Sequence, residues 1–156
     1  QLLTRIGVQG HTEIPTMSTA MKRTYTLPQA NAALKLVRSI AREWLERRAT
    51  RRTLDRRRRQ LENAETPEGL RSELAELDAQ IWEQDEGIAN CRGELEDLGI
   101  AVFRVNPLTL HIPGESKNGP VVFCWQEGEG ESVCFGHPVG EEREQRRPLK
   151  VKTREA

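Results

Sequence analysis

The clearest pattern of apolar positions along the chain lies between residues 70 and 98, where apolar residues recur at alternating intervals of four and three. The series is Leu70, Leu74, Leu77, Ile81, Gln84, Ile88, Cys91, Leu95 and Leu98, interrupted only by Gln84. This heptad spacing predicts a helix that packs along one face against another helix. Gly99 suits the left-handed conformation that ends many helices, so the helix is expected to stop there.

An earlier helix is predicted to begin next to Thr26, which can cap exposed amide groups. Pro28 suits the first turn, and Gln29 completes a capping box with Thr26. The apolar positions at helical spacing are Ala30, Leu34, Val37, Ile40, Ala41, Trp44 and Leu45, which thin out to Leu54 and Leu61. Residues 63–69 include Pro67, break the pattern and predict a turn between two antiparallel helices.

The two predicted helices can be folded onto each other so that facing residues have position numbers with a nearly constant sum. The facing pairs are then Leu61 with Leu70, Leu54 with Leu77, Ile40 with Cys91, Val37 with Leu95, and Leu34 with Leu98. Trp44 falls opposite Gly87, a small residue that leaves room for an indole, and is expected to be a core residue. The half of the hairpin nearer the base should therefore be well filled.

The half nearer the tip is different, because Leu74 and Ile81 face Arg58 and Arg51. The arginine stems can cover some apolar surface while their guanidinium groups reach water. The alternative is a homodimer, in which a second chain supplies the missing apolar face of a four-helix bundle.

After Gly99 the period of the apolar residues becomes strand-like. Four short strands are predicted at residues 100–105, 108–112, 121–125 and 132–135, separated by loops at 113–120 and 126–131. So small a unit needs support from the base of the hairpin, near Leu34 and Leu98. The predicted fold class is α+β: a long antiparallel, coiled-coil-like helical hairpin at 24–98 and a small antiparallel β unit of three to four strands at 99–149. Residues 1–23 are expected to be a flexible leader and 150–156 a polar tail, and Met17 or Met21 is an alternative start of the protein.

Composition agrees with an elongated molecule that has a thin core. Of 156 residues, 36% are hydrophobic and 31% are charged, and the formal net charge is zero. The zero sum removes any global argument for binding nucleic acid or a membrane surface. The chain has no apolar run long enough to cross a bilayer and only three cysteines, so a soluble, cytoplasmic protein in a reducing compartment is expected.

Charge is unevenly distributed within that zero sum. Residues 47–59 hold the arginines Arg47, Arg48, Arg51, Arg52, Arg56, Arg57, Arg58 and Arg59 against the single acid Asp55. The facing stretch of the second helix carries Glu68, Glu73, Glu76, Asp78 and Glu83, with Arg71 as the opposing charge. The favoured interpretation is a solvated, internally paired surface. The alternative is a contact with a partner or with nucleic acid, made by Arg51, Arg52, Arg56, Arg58 and Arg59 without sequence readout.

The chain resembles a family of uncharacterised bacterial proteins, the domain of unknown function 2203, over about residues 24 to 149. The resemblance rests on Tyr25-Thr26-Leu27-Pro28-Gln29-Ala30-Asn31, Leu98-Gly99-Ile100 with Val102 and Arg104, Phe123-Cys124-Trp125, Gly130-Glu131, His137, Arg146 and Pro148-Leu149. The chain departs from the family pattern at His111-Ile112-Pro113, where an acidic residue is usual, and at Gly136, where an aromatic residue is usual. The resemblance implies no activity.

Candidate chemistry is confined to the β unit. Cys124, Cys134 and His137, with His111 nearby, offer thiolate and imidazole ligands, and the spacing of Cys134 and His137 occurs in metal sites. No cofactor is expected, and a transition metal bound by these residues is the alternative. The competing interpretation is that Cys124 and Cys134, on paired strands, are small buried apolar residues, and that His137 hydrogen-bonds locally to Glu131 or Arg146. No third group that would orient a Cys–His nucleophile is evident.

The sequence by itself does not assign an activity. The preferred hypothesis is a non-enzymatic interaction or adaptor protein that presents its charged hairpin to an unknown protein partner. The second is a metal- or thiol-dependent function at Cys124, Cys134 and His137. The third is association of the arginine-rich tip with RNA or the ribosome. No membrane partner is expected.

Overall fold

The computed structural model describes residues 23–64, 70–140 and 146–149. Helix α1 spans Leu27–Glu62 and helix α2 spans Leu70–Asp97. The strands are β1 (Ala101–Val105), β2 (Leu108–Ser116), β3 (Gly119–Gln126), β4 (Phe135–Pro138) and β5 (Arg147–Pro148). The two helices pack together, and the strands form one antiparallel sheet in the order β1-β2-β3-β4-β5. The predicted α+β class with a helical hairpin is confirmed. Most of the predicted leader, the polar tail and the part of the predicted turn that contains Pro67 lie outside the described residues.

Both helix boundaries predicted from local chemistry are confirmed. The backbone amide of Gln29 donates to the Thr26 hydroxyl over 3.3 Å, and the backbone amide of Thr26 donates to the Gln29 side chain over 3.1 Å. This reciprocal pair satisfies donors that the first turn would otherwise leave open. At the other end, Gly99 has a φ of 76°, and the Ile100 amide donates to the Leu95 carbonyl over 2.9 Å. Helix α2 therefore ends where glycine permits the reversal.

The hairpin is well packed at its base and thin toward its tip, as predicted. Buried residues of α1 are Ala30, Leu34, Val37, Ile40, Ala41 and Trp44, and those of α2 are Leu77, Gly87, Cys91 and Leu95. In the tip half, Leu54, Leu61, Leu70, Leu74 and Ile81 are only half-buried. The difference arises because the base also packs against the sheet, whereas the tip has only the two helices.

Two details of the predicted facing pairs need correction. The atoms nearest to Gly87 belong to the Arg47 guanidinium group, so the missing side chain makes room for Arg47 and not for Trp44. The side chains of Arg51 and Arg58 extend beyond the residues predicted to face them, Ile81 and Leu74. Their guanidinium groups bond Asp85 and Asp78, each four residues further along α2 than the predicted facing residue. Long arginine side chains reach a full turn beyond their Cα position, which a pairing by residue number cannot show.

The strands also differ from the prediction. The loop expected at 113–120 is wrong, because β2 continues to Ser116 and pairs with Gly119 across a tight turn. Pro113 is tolerated there because its neighbour on that side, Tyr25, donates to the Pro113 carbonyl over 2.8 Å and accepts from the Glu115 amide over 3.0 Å, so no hydrogen bond needs a proline N–H. The strand expected at 132–135 is displaced to β4. The Val133 amide donates instead to the Asn31 side chain over 2.8 Å. A fifth strand, β5, pairs with β4.

The sheet has two unlike faces. Its inner face packs on the base of the hairpin and contributes fully buried Leu108, Leu110 and Ile112, together with Phe123 and Trp125. Because side chains alternate along a strand, the outer face carries His111 and Cys124 from β2 and β3, which are paired neighbours. Of the described helices, neither contains an apolar stretch that could cross a membrane.

A second contact ties the sheet to the middle of α1. Arg48 donates to the Val105 carbonyl over 2.9 Å and forms an ion pair with Glu127 over 2.9 Å. The same carboxylate accepts the Leu108 amide over 3.0 Å. Burial by itself raises the pKa of Glu127, but the hydrogen bonds from Arg48 and Leu108 and the charge of Arg48 outweigh it, so the pKa is lowered. Glu127 thus links α1, β2 and the loop after β3.

Trp44→Ala should lower the free energy of unfolding by about 3–5 kcal/mol, because it removes a large side chain from a filled core. Trp82→Ala is the matched control, since Trp82 is 66% exposed and Trp44 only 3%. We expect the control to change stability by less than about 0.5 kcal/mol. Urea unfolding followed by circular dichroism measures both. Equal losses for the two variants would contradict the assignment of the core.

Glu127→Gln should lower the free energy of unfolding at pH 7 by about 1.5–3 kcal/mol, because it removes charged hydrogen bonds that link three elements. The lowered pKa means that the ionised carboxylate stabilises the fold fully above its ordinary value near 4.5, and that this contribution is lost as the pH falls through the lower folded value. The difference in the free energy of unfolding between wild type and variant should therefore become smaller in acid. Glu131→Gln is the control, because the side chain of Glu131 is 87% exposed and its pair with Arg38 should contribute little. A difference that grows in acid would contradict the role of Glu127.

Candidate functional sites

Aromatic, imidazole and thiol groups gather on the outer face of the sheet. The rings of Phe103 and His111 stack with centroids 4.4 Å apart, and the ring of His137 meets His111 edge-on at 5.4 Å. His111 pairs with Cys124 across β2 and β3, and His137 follows Phe135, the partner of Cys124, by two residues. We call Phe103, His111, Cys124, His137 and Arg146 the outer-face cluster. The fold thus brings together residues from four strands and from the segment before β5.

Arg146 is the organising cation of the outer-face cluster. Its Nε donates to the Cys124 sulfur over 3.1 Å, and its Nη1 donates to the Gln126 side chain over 3.1 Å. It also forms an ion pair with Glu129 and lies 4.3 Å from the centre of the Phe135 ring. Cys124 has no exposed surface. The thiol is therefore held beneath a guanidinium group and closed to solvent.

The structure places the three predicted metal ligands differently from one another. Cys124 and His137 share the outer face, whereas Cys134 precedes β4, is exposed and donates from its sulfur to the Ser132 carbonyl over 3.5 Å. Within the described ranges, no group of three His, Cys, Asp or Glu side chains is placed to hold a metal ion. A metal bound by Cys124, Cys134 and His137 stays a prediction, and the observed arrangement adds no support to it.

His137 does not make the local hydrogen bonds expected of it. The residue is only 9% exposed, and its Nδ1 has no hydrogen-bond partner among the described residues. The two expected partners are engaged elsewhere, Glu131 with Arg38 and Arg146 with Glu129. The expectation failed because it counted proximity in sequence, whereas Glu131 and Arg146 lie outside the strands and contact Arg38 and Glu129.

Most of the arginine run is paired within the chain. Arg51 pairs with Asp85 at 2.5 Å, Arg58 with Asp78 at 2.6 Å and also with Glu62, and Arg59 with Asp55 at 2.6 Å. Hydrogen bonding to Asp78, followed by the charges of Asp78 and Glu62, raises the pKa of Arg58. Three of the five arginines predicted to contact a partner are thus already bonded to carboxylates. This agrees with the internally paired surface favoured from the sequence.

Arg52 and Arg56 are different. Both are exposed, and neither bonds a carboxylate among the described residues. Arg56 makes only a long contact of 3.5 Å to the Thr53 hydroxyl. Because they are four residues apart on a continuous helix, their side chains project from the same side of α1. We call this pair the open arginine face.

Sequence reasoning missed two contacts of the site region. The pairing of Arg48 with Glu127 joins residues 79 positions apart, and nothing in the local pattern signals it. The bond from Arg146 to Cys124 could have been suspected from the family motif that contains both residues, but their contact depends on how β5 returns to β4. Pairings of this kind are set by the sheet and not by the spacing of residues.

The fold and these sites define an α+β protein in which a helical hairpin carries a small antiparallel sheet with a polar outer face. The chain belongs to the family described as uncharacterized conserved protein (DUF2203), whose model matches residues 23–149. The resemblance read from the sequence is confirmed. No curated protein and no solved structure matches the chain.

Cysteine labelling tests the outer-face cluster. In the native protein only Cys134 should react quickly with a thiol reagent near pH 8, because it is exposed while Cys91 and Cys124 are buried. Burial, followed by the charges of Glu43 and Glu94, raises the pKa of Cys91 to about 11, which keeps it in the unreactive thiol form. Mass spectrometry should show one fast label, none in Cys134→Ser, and three in urea. A fast label in native Cys134→Ser would show that Cys124 or Cys91 is open to reagent.

Proposed function

We propose that this protein is a non-enzymatic interaction module, which binds an acidic segment of a partner protein through the open arginine face of α1. The observation that carries the proposal is the contrast between Arg52 and Arg56 and the paired arginines around them. Arg51, Arg58 and Arg59 each bond a carboxylate of the same chain. Arg52 and Arg56 are exposed and form no ion pair among the described residues, although the charge of Arg52 helps to lower the pKa of Glu127.

The open arginine face is rigidly presented. It lies one and two turns beyond Arg48, which is fixed to Glu127 and to the Val105 carbonyl of the sheet. The helix continues through it without interruption to Glu62. A binding group held on a regular helix loses little conformational freedom when a partner docks, which favours its use in recognition.

The chemistry of the face favours carboxylates on a protein over bases of a nucleic acid. A guanidinium group offers planar, paired donors that match a carboxylate or a phosphate. Helix α1 contains one aromatic residue, Trp44, which is buried, so α1 itself offers no exposed ring on which a base could stack. Association with RNA through phosphates alone remains the competing hypothesis for the same residues.

The outer-face cluster supports the non-enzymatic part of the proposal. Its cysteine has no exposed surface and is covered by Arg146, while a nucleophilic or metal-binding thiol needs access to its substrate or ligand. The bonds of Arg146 to Cys124, Gln126 and Glu129 join β3 to the segment before β5. The cluster is better suited to holding the sheet edge in place than to turning over a substrate.

The test uses fluorescence anisotropy with two probes of equal length, a glutamate-rich peptide and a single-stranded RNA. The full-length protein should bind the peptide, and Arg52→Glu/Arg56→Glu should weaken that binding about tenfold or more. The control Arg104→Glu/Lys117→Glu makes the same change in net charge on exposed residues of the sheet and should have little effect. Loss of peptide binding in both double variants would show that only the total charge of the protein matters. Binding of the RNA without binding of the peptide would overturn the protein-partner proposal in favour of the nucleic-acid one.

A further inference from the structure

The tip half of the hairpin has an open cavity along one edge. A cavity of about 170 Å³ lies between the helices there, and it is lined by Arg57 and Leu61 of α1 and by Glu73, Glu76, Leu77 and Gln80 of α2. Its α1 rim is basic, its α2 rim is acidic, and leucines lie between the two. The charged rims face each other across Leu61 and the buried Leu77, and most of the exposed lining is polar.

The charged groups on the two rims are not satisfied within the chain. Among the described residues, Arg57 pairs with no carboxylate, and Glu73 and Glu76 pair with no basic group. The other edge of the hairpin behaves differently, because Arg58 reaches across to Asp78 there. Successive helical residues project about 100° apart, so Arg57 and Arg58 serve opposite edges. One edge of the hairpin is closed by ion pairs and the other is open.

The apolar residues beneath the open edge are incompletely covered. Leu54, Leu61, Leu70, Leu74 and Ile81 remain half-buried. Leu36, which is 55% exposed, lies three heptads before Arg57 on the same edge of α1. The open edge therefore combines incompletely buried leucines with unpaired charges of both signs. A single exposed apolar residue on a protein surface lacks this combination.

We propose that a second copy of this chain covers the open edge, so that two hairpins form an antiparallel four-helix bundle with both tips at the same end. A twofold axis along the hairpin places α1 of each copy against α2 of the other. Arg57 of each copy then meets Glu73 and Glu76 of the other, and the complementary contact occurs twice. The half-buried leucines of both seams meet between these two ionic edges.

A second copy is favoured over an unrelated helix because the edge is complementary to itself. A partner helix of one charge would match one rim and repel the other, whereas a rotated copy of the hairpin offers acid to the basic rim and base to the acidic rim. Two antiparallel helical hairpins that pack side by side also form a common type of four-helix bundle. The dimer edge borders the open arginine face, because Arg56 and Arg57 line one shallow surface cavity together with Thr53 and Gln60.

The test is sedimentation equilibrium of the full chain over a range of concentrations. Wild type should be a dimer, and Arg57→Glu should weaken dimerisation about tenfold or more, because each copy then sets an acid against Glu73 and Glu76. Glu73→Arg/Glu76→Arg should weaken it similarly. Combining all three substitutions should restore the dimer, since the charges are then exchanged between the rims.

Arg71→Glu is the matched control, because Arg71 is an exposed tip residue of α2 outside the cavity lining. It should leave the dimer intact. Circular dichroism confirms that each variant keeps its helices, so that loss of fold is not read as loss of association. A monomer at all concentrations, or single reversals that weaken the dimer without rescue by the combined variant, would overturn the proposal. Sedimentation measures dimerisation and anisotropy measures peptide binding, each with its own variants, so failure of one proposal can be distinguished from failure of the other.

Discussion

The structure depends on one apolar contact, in which the base of the helical hairpin and the inner face of the sheet bury each other. Leu34 and Leu95 of the helices and Leu110 of the sheet are fully buried in the same cluster as Trp44. Neither part could bury these side chains alone, because a two-helix hairpin offers a single narrow seam and a small sheet needs a covering layer. The contact also explains why the burial of apolar side chains decreases from the base of the hairpin to its tip. Packing is complete where a third layer is present and partial beyond it.

Ion pairs between the helices become the main contacts where apolar packing decreases toward the tip. Beyond Trp44, α1 places arginines on the edges of the seam, and their stems cover leucine and isoleucine while their guanidinium groups bond acids of α2. The arginines therefore make different contacts, although the net charge of the chain is zero. Some arginines link the two helices, Arg48 links α1 to the sheet, and Arg52, Arg56 and Arg57 form no ion pair with the described residues. The functional proposals rest on this remainder and not on the size of the arginine run.

The outer face of the sheet shows how strand pairing brings together residues that lie far apart in the sequence. Cys124, His137 and Arg146 are brought together by strand pairing, yet the thiol is closed to solvent and Arg146 is bonded on several sides. Arg146 is the centre of this arrangement, since it reaches β3 from the segment before β5. Retaining such residues can serve the edge of the sheet, where β5 contributes only Arg147 and Pro148.

The sequence by itself determined what depends on neighbours along the chain. Periodicity gave the two helices and the sheet region, the Thr26 capping box and Gly99 gave helix ends, and the thinning of apolar residues after Trp44 gave the weak tip. These follow from local backbone chemistry and from which face of a helix is apolar. The α+β class followed from the change of period at Gly99, and the family from short motifs.

Only the tertiary structure decided which groups meet. It showed that Arg47 fills the space at Gly87, that β2 runs through Pro113 and that Arg146 covers Cys124. It also showed that Arg51 and Arg58 form ion pairs, whereas Arg52 and Arg56 form none with the part of the chain that the structure describes. The physical reason is the same in each case. Side-chain reach and strand register act across dozens of residues, and a long guanidinium group selects among several acids only once the helices are side by side.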